Sequence, residues 1–220
     1  MARIRRILSR HPRRRRAPEV ARLEILDAAD RVFTASQPDQ VGLKEVAREA
    51  GVSHALVTHY FGTFAELIEA VLERRVRALR ENILIKLREP GILARPGELI
   101  AELFAALDEP VHGRLMRWLF ASERPGAVQA FMFRDQGLRQ IAQSIGATLT
   151  PEAPSTHTHE IELVLVTAVS CAYGYVFAKT AMVGSIGRRS STELDHEIQT
   201  TLAKMVQAHL RMQLGIMPPA

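Results

Sequence analysis

Eight arginines fall within the first sixteen residues, at Arg3, Arg5, Arg6, Arg10, Arg13, Arg14, Arg15 and Arg16, with no acid among them. Clustered guanidiniums suit phosphate, so this segment points to nucleic acid or an anionic membrane surface. A second grouping lies in "GVSHALVTHYFGT" (51–63), where Ser53, His54, Thr58, His59, Tyr60 and Thr63 stand close together. Hydroxyl and imidazole groups can hydrogen-bond phosphates and base edges. The other candidates for chemistry are weaker. In "HTHEIE" (157–162), His157 and His159 are two apart and do not face each other on a helix, so no metal is expected. Cys171 lies in the most apolar stretch, where a buried, inert thiol is expected. No Ser/His/Asp order or glycine-rich phosphate loop occurs, so neither catalysis nor a cofactor is expected.

The bulk numbers agree with a globular protein that has one basic arm. Apolar residues make up 47% of the 220 and charged residues 24%, enough for a core without staples. The arm's eight positive charges exceed the chain's net +5, so residues 17–220 sum to −3. A single cysteine excludes an internal disulfide and suits a reducing compartment. The arginines are not followed by an apolar run of signal length, so no export signal is expected. The longest uncharged stretch, Leu163–Ala178, is short for a spanning helix and is read as a helix buried in protein.

Proline positions set out the elements that must carry the polar groups. The proline-free blocks show helical periodicity and no sustained alternation, so the expected fold is all-α with about nine helices. Ile25, Leu26, Ala29, Val32 and Phe33 mark one amphipathic helix within 19–37. Thr63 and Glu66 match a capping box that starts a long helix over 63–88, ending before Pro90. Further helices are expected at 96–108, 111–122, 127–148, 156–182 and from Ser191 or Thr192 onward. "HPRRRRAP" is expected to be disordered, as part of an arm covering 1–18.

"LKEVAREAGVSHALVTHYF" (43–61) carries the functional reading. A helix from Leu43 places Val46, Ala47 and Ala50 on one side, and Gly51 allows a left-handed turn. Ser53 can cap a second helix in which Val57, Tyr60 and Phe61 point inward. Ala47 is small where the two helices must meet. This is the pattern of a helix-turn-helix, which offers the start of its second helix to the DNA major groove. The candidate contacts are Lys44, Ser53, His54, Ala55, Thr58, His59, Tyr60 and Thr63, with Arg13, Arg14, Arg15 and Arg16 on phosphates.

Residues 20–70, with the helix 19–36, the pair 43–50 and 53–61 and the ending "HYFGTFAELI", resemble the tetracycline-repressor (TetR) family of bacterial transcriptional regulators. Three positions depart from that family's usual pattern: Gly42 for a capping threonine, Thr58 for a phosphate-contacting tyrosine, and Phe64 for a lysine. Residues 17–64 hold four basic and seven acidic side chains, so the arm is expected to supply the missing positive charge.

The resemblance implies a helix-turn-helix DNA-binding domain at 19–66 and a ligand-binding and dimerisation domain at 67–217. It also implies a cytoplasmic homodimer, a palindromic double-stranded operator and a small-molecule effector, with no membrane association. On that footing Ala168, Ala172, Tyr175, Ile198, Leu202 and Met205 are expected at the dimer interface. Phe104, Trp118, Phe120, Phe131, Phe133 and Tyr173 are expected at the ligand pocket. The other readings are a DNA-binding protein governed by a protein partner or used architecturally, and an all-α enzyme.

Overall fold

The structure is a computed structural model that describes residues 18–122, 136–153 and 155–214. Arg13, Arg14, Arg15, Arg16, Phe131 and Phe133 lie outside the described residues. Those residues form nine α-helices and no strand: α1 (Pro18–Ala35), α2 (Leu43–Ala50), α3 (His54–Phe61), α4 (Phe64–Lys86), α5 (Pro96–Asp108), α6 (Pro110–Ala121), α7 (Gly137–Leu149), α8 (Thr158–Ser185) and α9 (Thr192–Leu214). Single 3-10 turns at Pro38–Gln40 and Ile92–Ala94 link α1 to α2 and α4 to α5.

Local chemistry sets the helix ends. The Thr63 amide donates to Glu66 Oε2 at 2.6 Å, and the Glu66 amide donates to Thr63 Oγ1 at 3.3 Å. This reciprocal pair starts α4. Pro96 and Pro110 occupy first turns, where the missing amide costs nothing. Ser191 Oγ accepts from the Leu194 amide at 3.2 Å and caps α9. Gly42 has no side chain to accept from the first amides of α2, so only half of a capping box forms there, with Glu45 Oε2 accepting from the Gly42 amide at 2.9 Å.

Three apolar clusters hold the helices. Ile25, Phe33, Val46, Val57, Leu67 and Ile68 join α1–α4, and Leu115, Met116 and Leu119 of α6 complete the same cluster. Ile100, Phe104, Ala168, Ala172 and Leu194 join α5, α8 and α9. Ile83, Ile141, Ile145 and Ile161 join the end of α4 to α7 and α8. An aromatic run ties the first cluster together. Phe33 and Phe64 meet edge to face at 5.9 Å, and Phe64 meets Trp118 of α6 at 5.6 Å.

α8 differs from its sequence expectation. It buries Ile161, Ala168, Ala172, Tyr175 and Val183 on one face only. Leu163 and Val166 are half exposed, and Cys171, expected to be buried, is exposed. The physical reason is that α5 and α7 cover one face and α9 flanks it, and no described element covers the other. By length and composition α8 could cross a membrane, as could the α3–α4 pair if its 64° bend were one span.

Candidate nucleic-acid interface and ligand cavity

The α2–α3 pair is built from the turn outward. Gly51 takes φ 65° and ψ 31°, a left-handed conformation that costs a residue with a Cβ. This lets the Gly51 amide donate to the Arg48 carbonyl at 3.2 Å and the Val52 amide to the Ala47 carbonyl at 3.0 Å, closing α2. Ser53 Oγ then accepts from the Leu56 amide at 3.2 Å and opens α3. Val57 and Phe61 are buried, which fixes how α3 rolls about its axis.

With that face locked inward, Ser53, His54, Ala55, Thr58 and His59 are exposed on the outer side, and Lys44 and Thr63 are exposed beside them. Tyr60 is half-buried against the first cluster. The Thr58 hydroxyl donates to the His54 carbonyl at 3.1 Å, so it meets a ligand as an acceptor. Arg22, which the spacing of the sequence did not single out, lies over the Phe61 ring at 5.2 Å and is exposed at the end of α3.

Three of the seven acids of 17–64, Asp27, Asp30 and Glu49, pair with arginines. Arg74 pairs with Asp27 at 2.6 Å and also with Asp30. Arg75 reaches Asp30 at 2.7 Å and Glu109 at 2.6 Å. Arg31 pairs with Glu49 at 2.6 Å. Phe64 faces Trp118, so this position joins the helix pair to α6.

A second feature is an apolar cavity of about 200 Å³ among α4, α5, α7 and α8. Leu79, Ile83, Leu103, Ile141, Leu165 and Val169 form much of its wall, and Arg80 and Tyr173 are the polar side chains among its described lining. Of the aromatics expected at a pocket, Tyr173 alone of the described ones reaches this cavity. Phe104 packs into the α5–α8–α9 cluster against Tyr175 at 6.0 Å, because its buried face points to α8. Trp118 is drawn toward Phe64. Phe120 is 54% exposed and meets Phe177 on the outside. Branched aliphatic side chains do the lining instead. Their only signal in the sequence is helical spacing, which also marks plain core.

The residues expected at a dimer interface divide likewise. Ala168, Ala172 and Tyr175 turn inward, since small side chains let α5 approach α8 closely. Ile198 and Leu202 are half-buried against that cluster, while Met205 is 64% exposed. The Tyr175 hydroxyl donates to Asp195 Oδ1 at 2.7 Å, and Lys179 pairs with the same carboxylate, tying α8 to α9.

His112, another residue not anticipated, is 3% exposed on α6. Its Nε2 shares a 3.3 Å hydrogen bond with the Tyr173 hydroxyl. Burial, assisted by the Arg75 charge and opposed by Glu109, pushes its pKa down to about 4. Burial pushes Tyr173 up to about 12. The unfolded chain therefore binds the His112 proton more tightly than the folded one. Stability should be unaffected by this group above its ordinary pKa of 6.5 and should fall as pH drops from there toward 4. The expected loss is roughly 2–3 kcal/mol. Urea unfolding at several pH values tests it, and His112→Gln should flatten that part of the profile.

Residues 25–71 match the family model described as bacterial regulatory proteins, tetR family. The chain is 31% identical over 146 residues to an uncharacterized HTH-type transcriptional regulator of Mycobacterium tuberculosis, covering 64% of this chain and 69% of that protein. It is 34% identical over 84 residues to the HTH-type transcriptional regulator BetI of Brucella abortus, covering 38% of this chain and 41% of that one. A tetR-family transcriptional regulator from Streptomyces coelicolor superposes with a TM-score of 0.58 at 25% identity, over 88% of this chain and 82% of that one.

Proposed function

This chain belongs to the tetR family of bacterial regulatory proteins and is a DNA-binding transcriptional regulator; on that premise we propose that it is a homodimeric repressor released from a palindromic operator by a small molecule. The observation that carries the reading is the exposed outer face of α3, held in one orientation by Val57 and Phe61. Residues 19–66 form the DNA-binding domain and 67–217 the ligand-binding and dimerisation domain, with α4 as the link. Ser53, His54, Ala55, Thr58 and His59 read the groove, and Lys44, Tyr60 and Thr63 contact the backbone. Arg13, Arg14, Arg15 and Arg16 add phosphate contacts that the acidic 17–64 segment cannot supply.

The apolar cavity supports the effector half of the proposal. The dimer forms through the outer faces of α8 and α9, where Leu163, Val166, Met182, Met205 and Met212 are all about half exposed or more. A Cβ built on Gly174 meets nothing within 4 Å, so a partner helix can come close there. Two heads on a two-fold axis suit two half-sites. The protein acts in the cytoplasm, and a second copy of α8, not lipid, covers the apolar face.

A selection from random duplexes tests this reading, using the full chain and one lacking residues 2–16. Both should return the same two-fold symmetric site. The shortened chain should bind every sequence more weakly, with a salt slope smaller by about 0.9 per lost phosphate contact. Absence of any preferred sequence overturns the specific-regulator reading, and an unchanged slope removes the arm's role.

A further inference from the structure

We infer that the apolar cavity takes a small, mainly apolar molecule whose contact with Tyr173 is relayed through His112, Glu109 and Arg75 to Asp30 of α1. The inference rests on the proposal that this cavity holds an effector. Its volume, about 200 Å³, lies below the ~300 Å³ at which ordinary drug-sized pockets begin. Among its described lining, every side chain except Arg80 and Tyr173 is apolar. A compact ring or short branched chain fits such a space, and a highly polar molecule would lose hydration without replacement.

The relay crosses four helices by polar contacts, joined at His112 by the residue's own frame between its ring and its backbone amide. Tyr173 of α8 lines the cavity, and its hydroxyl lies 3.3 Å from His112 Nε2 on α6. The His112 amide donates to Glu109 Oε2 at 2.9 Å. That same oxygen accepts from Arg75 Nη1 of α4 at 2.6 Å. Arg75 Nε and Nη2 both donate to Asp30 Oδ1 of α1, at 3.1 and 2.7 Å. Arg74 pairs with the other Asp30 oxygen and, at 2.6 Å, with Asp27, so two carboxylates of α1 hold it to α4 and Arg75 reaches one of them.

His112 is too deeply buried to exchange the Tyr173 hydroxyl for bulk water. A ligand that moves the tyrosine must either orphan that bond or move α6. Moving α6 shifts Glu109, and with it the Arg75 contact that α1 shares. The relay is therefore discrete: its links either hold or break.

Two arms test it, both read as affinity for the selected duplex. In the first, toluene and benzyl alcohol are the probes, with probe binding followed by calorimetry. The wild-type protein should bind at least one probe and lose 5–150-fold in DNA affinity when saturated. Tyr173→Phe keeps the ring, and calorimetry gives its own affinity for that probe; once saturated, its DNA affinity should respond less than twofold. A full response from Tyr173→Phe overturns the relay and leaves the effector reading intact. Failure of both probes to bind overturns the ligand class.

The second arm needs no probe. Val169→Phe places extra volume in the cavity and should mimic an occupant, weakening DNA binding in the wild-type background but not beside Tyr173→Phe. Equal weakening in both backgrounds overturns the relay, and no weakening in either overturns the effector reading itself. Melting temperatures show that each variant folds.

Discussion

Ala55→Glu is expected to reduce operator affinity at least about 100-fold without loss of stability. Ala55 is exposed in the first turn of α3, on the face left outward by Val57 and Phe61. Glutamate is a good helix former, and a carboxylate near a helix start is favoured by the helix dipole. The folded protein therefore gives it no reason to melt earlier. Against DNA the same carboxylate meets phosphate at close range, and juxtaposed like charges cost several kcal/mol. Each 1.4 kcal/mol is a factor of ten, and a dimer carries the change twice. Fluorescence titration with the selected duplex, beside a melting curve, measures both halves. Affinity within tenfold of wild type would move the reading face away from α3.

Val166→Arg is expected to convert the dimer to monomer at micromolar concentration. Val166 is 51% exposed in the first half of α8, on its outer face. If a second copy covers it, the arginine becomes a buried charge without a partner, which costs several kcal/mol. A single head then has to bind alone, and the loss of linked binding is worth a factor of 10² to 10⁴. Sedimentation equilibrium gives the association state directly. Ala172→Leu is the contrasting variant. Ala172 is fully buried against the protomer's own α5–α8–α9 cluster. Overpacking there should lower stability by about 1–3 kcal/mol and leave association unchanged. A Val166→Arg protein that stays dimeric removes α8 from the interface.

Much of the fold was legible because the punctuation is chemical. Thr63 with Glu66, Pro96, Pro110, Ser191 and Gly51 each announce a helix end through a group that must be satisfied locally. The face of α3 was legible for a related reason: Val57 and Phe61 are four apart, so what lies opposite is outward. Which face of α8 turns inward was not legible. That helix is apolar nearly all round, and small residues on one face can admit α5 or a second copy of α8 equally well. The charge balance along the chain leaves out pairings made across space. Of the seven acids of 17–64, Asp27 and Asp30 are met by Arg74 and Arg75 of α4, which narrows the deficit that the sequence shows without removing it. Tyr173 was found for its aromaticity, whereas its bond to His112 depends on two helices whose pairing no local pattern encodes.

The shared core of α1–α4 and α6 has a consequence for anyone recombining such proteins. Leu115, Met116, Leu119 and Trp118 pack against Phe33, Phe64 and their neighbours. A chimera cut at the helix-turn-helix boundary would graft a head onto a foreign α6 and leave an ill-fitting seam through its interior. In packing terms the interchangeable part extends through α6, and the least disruptive junction lies after Ala121.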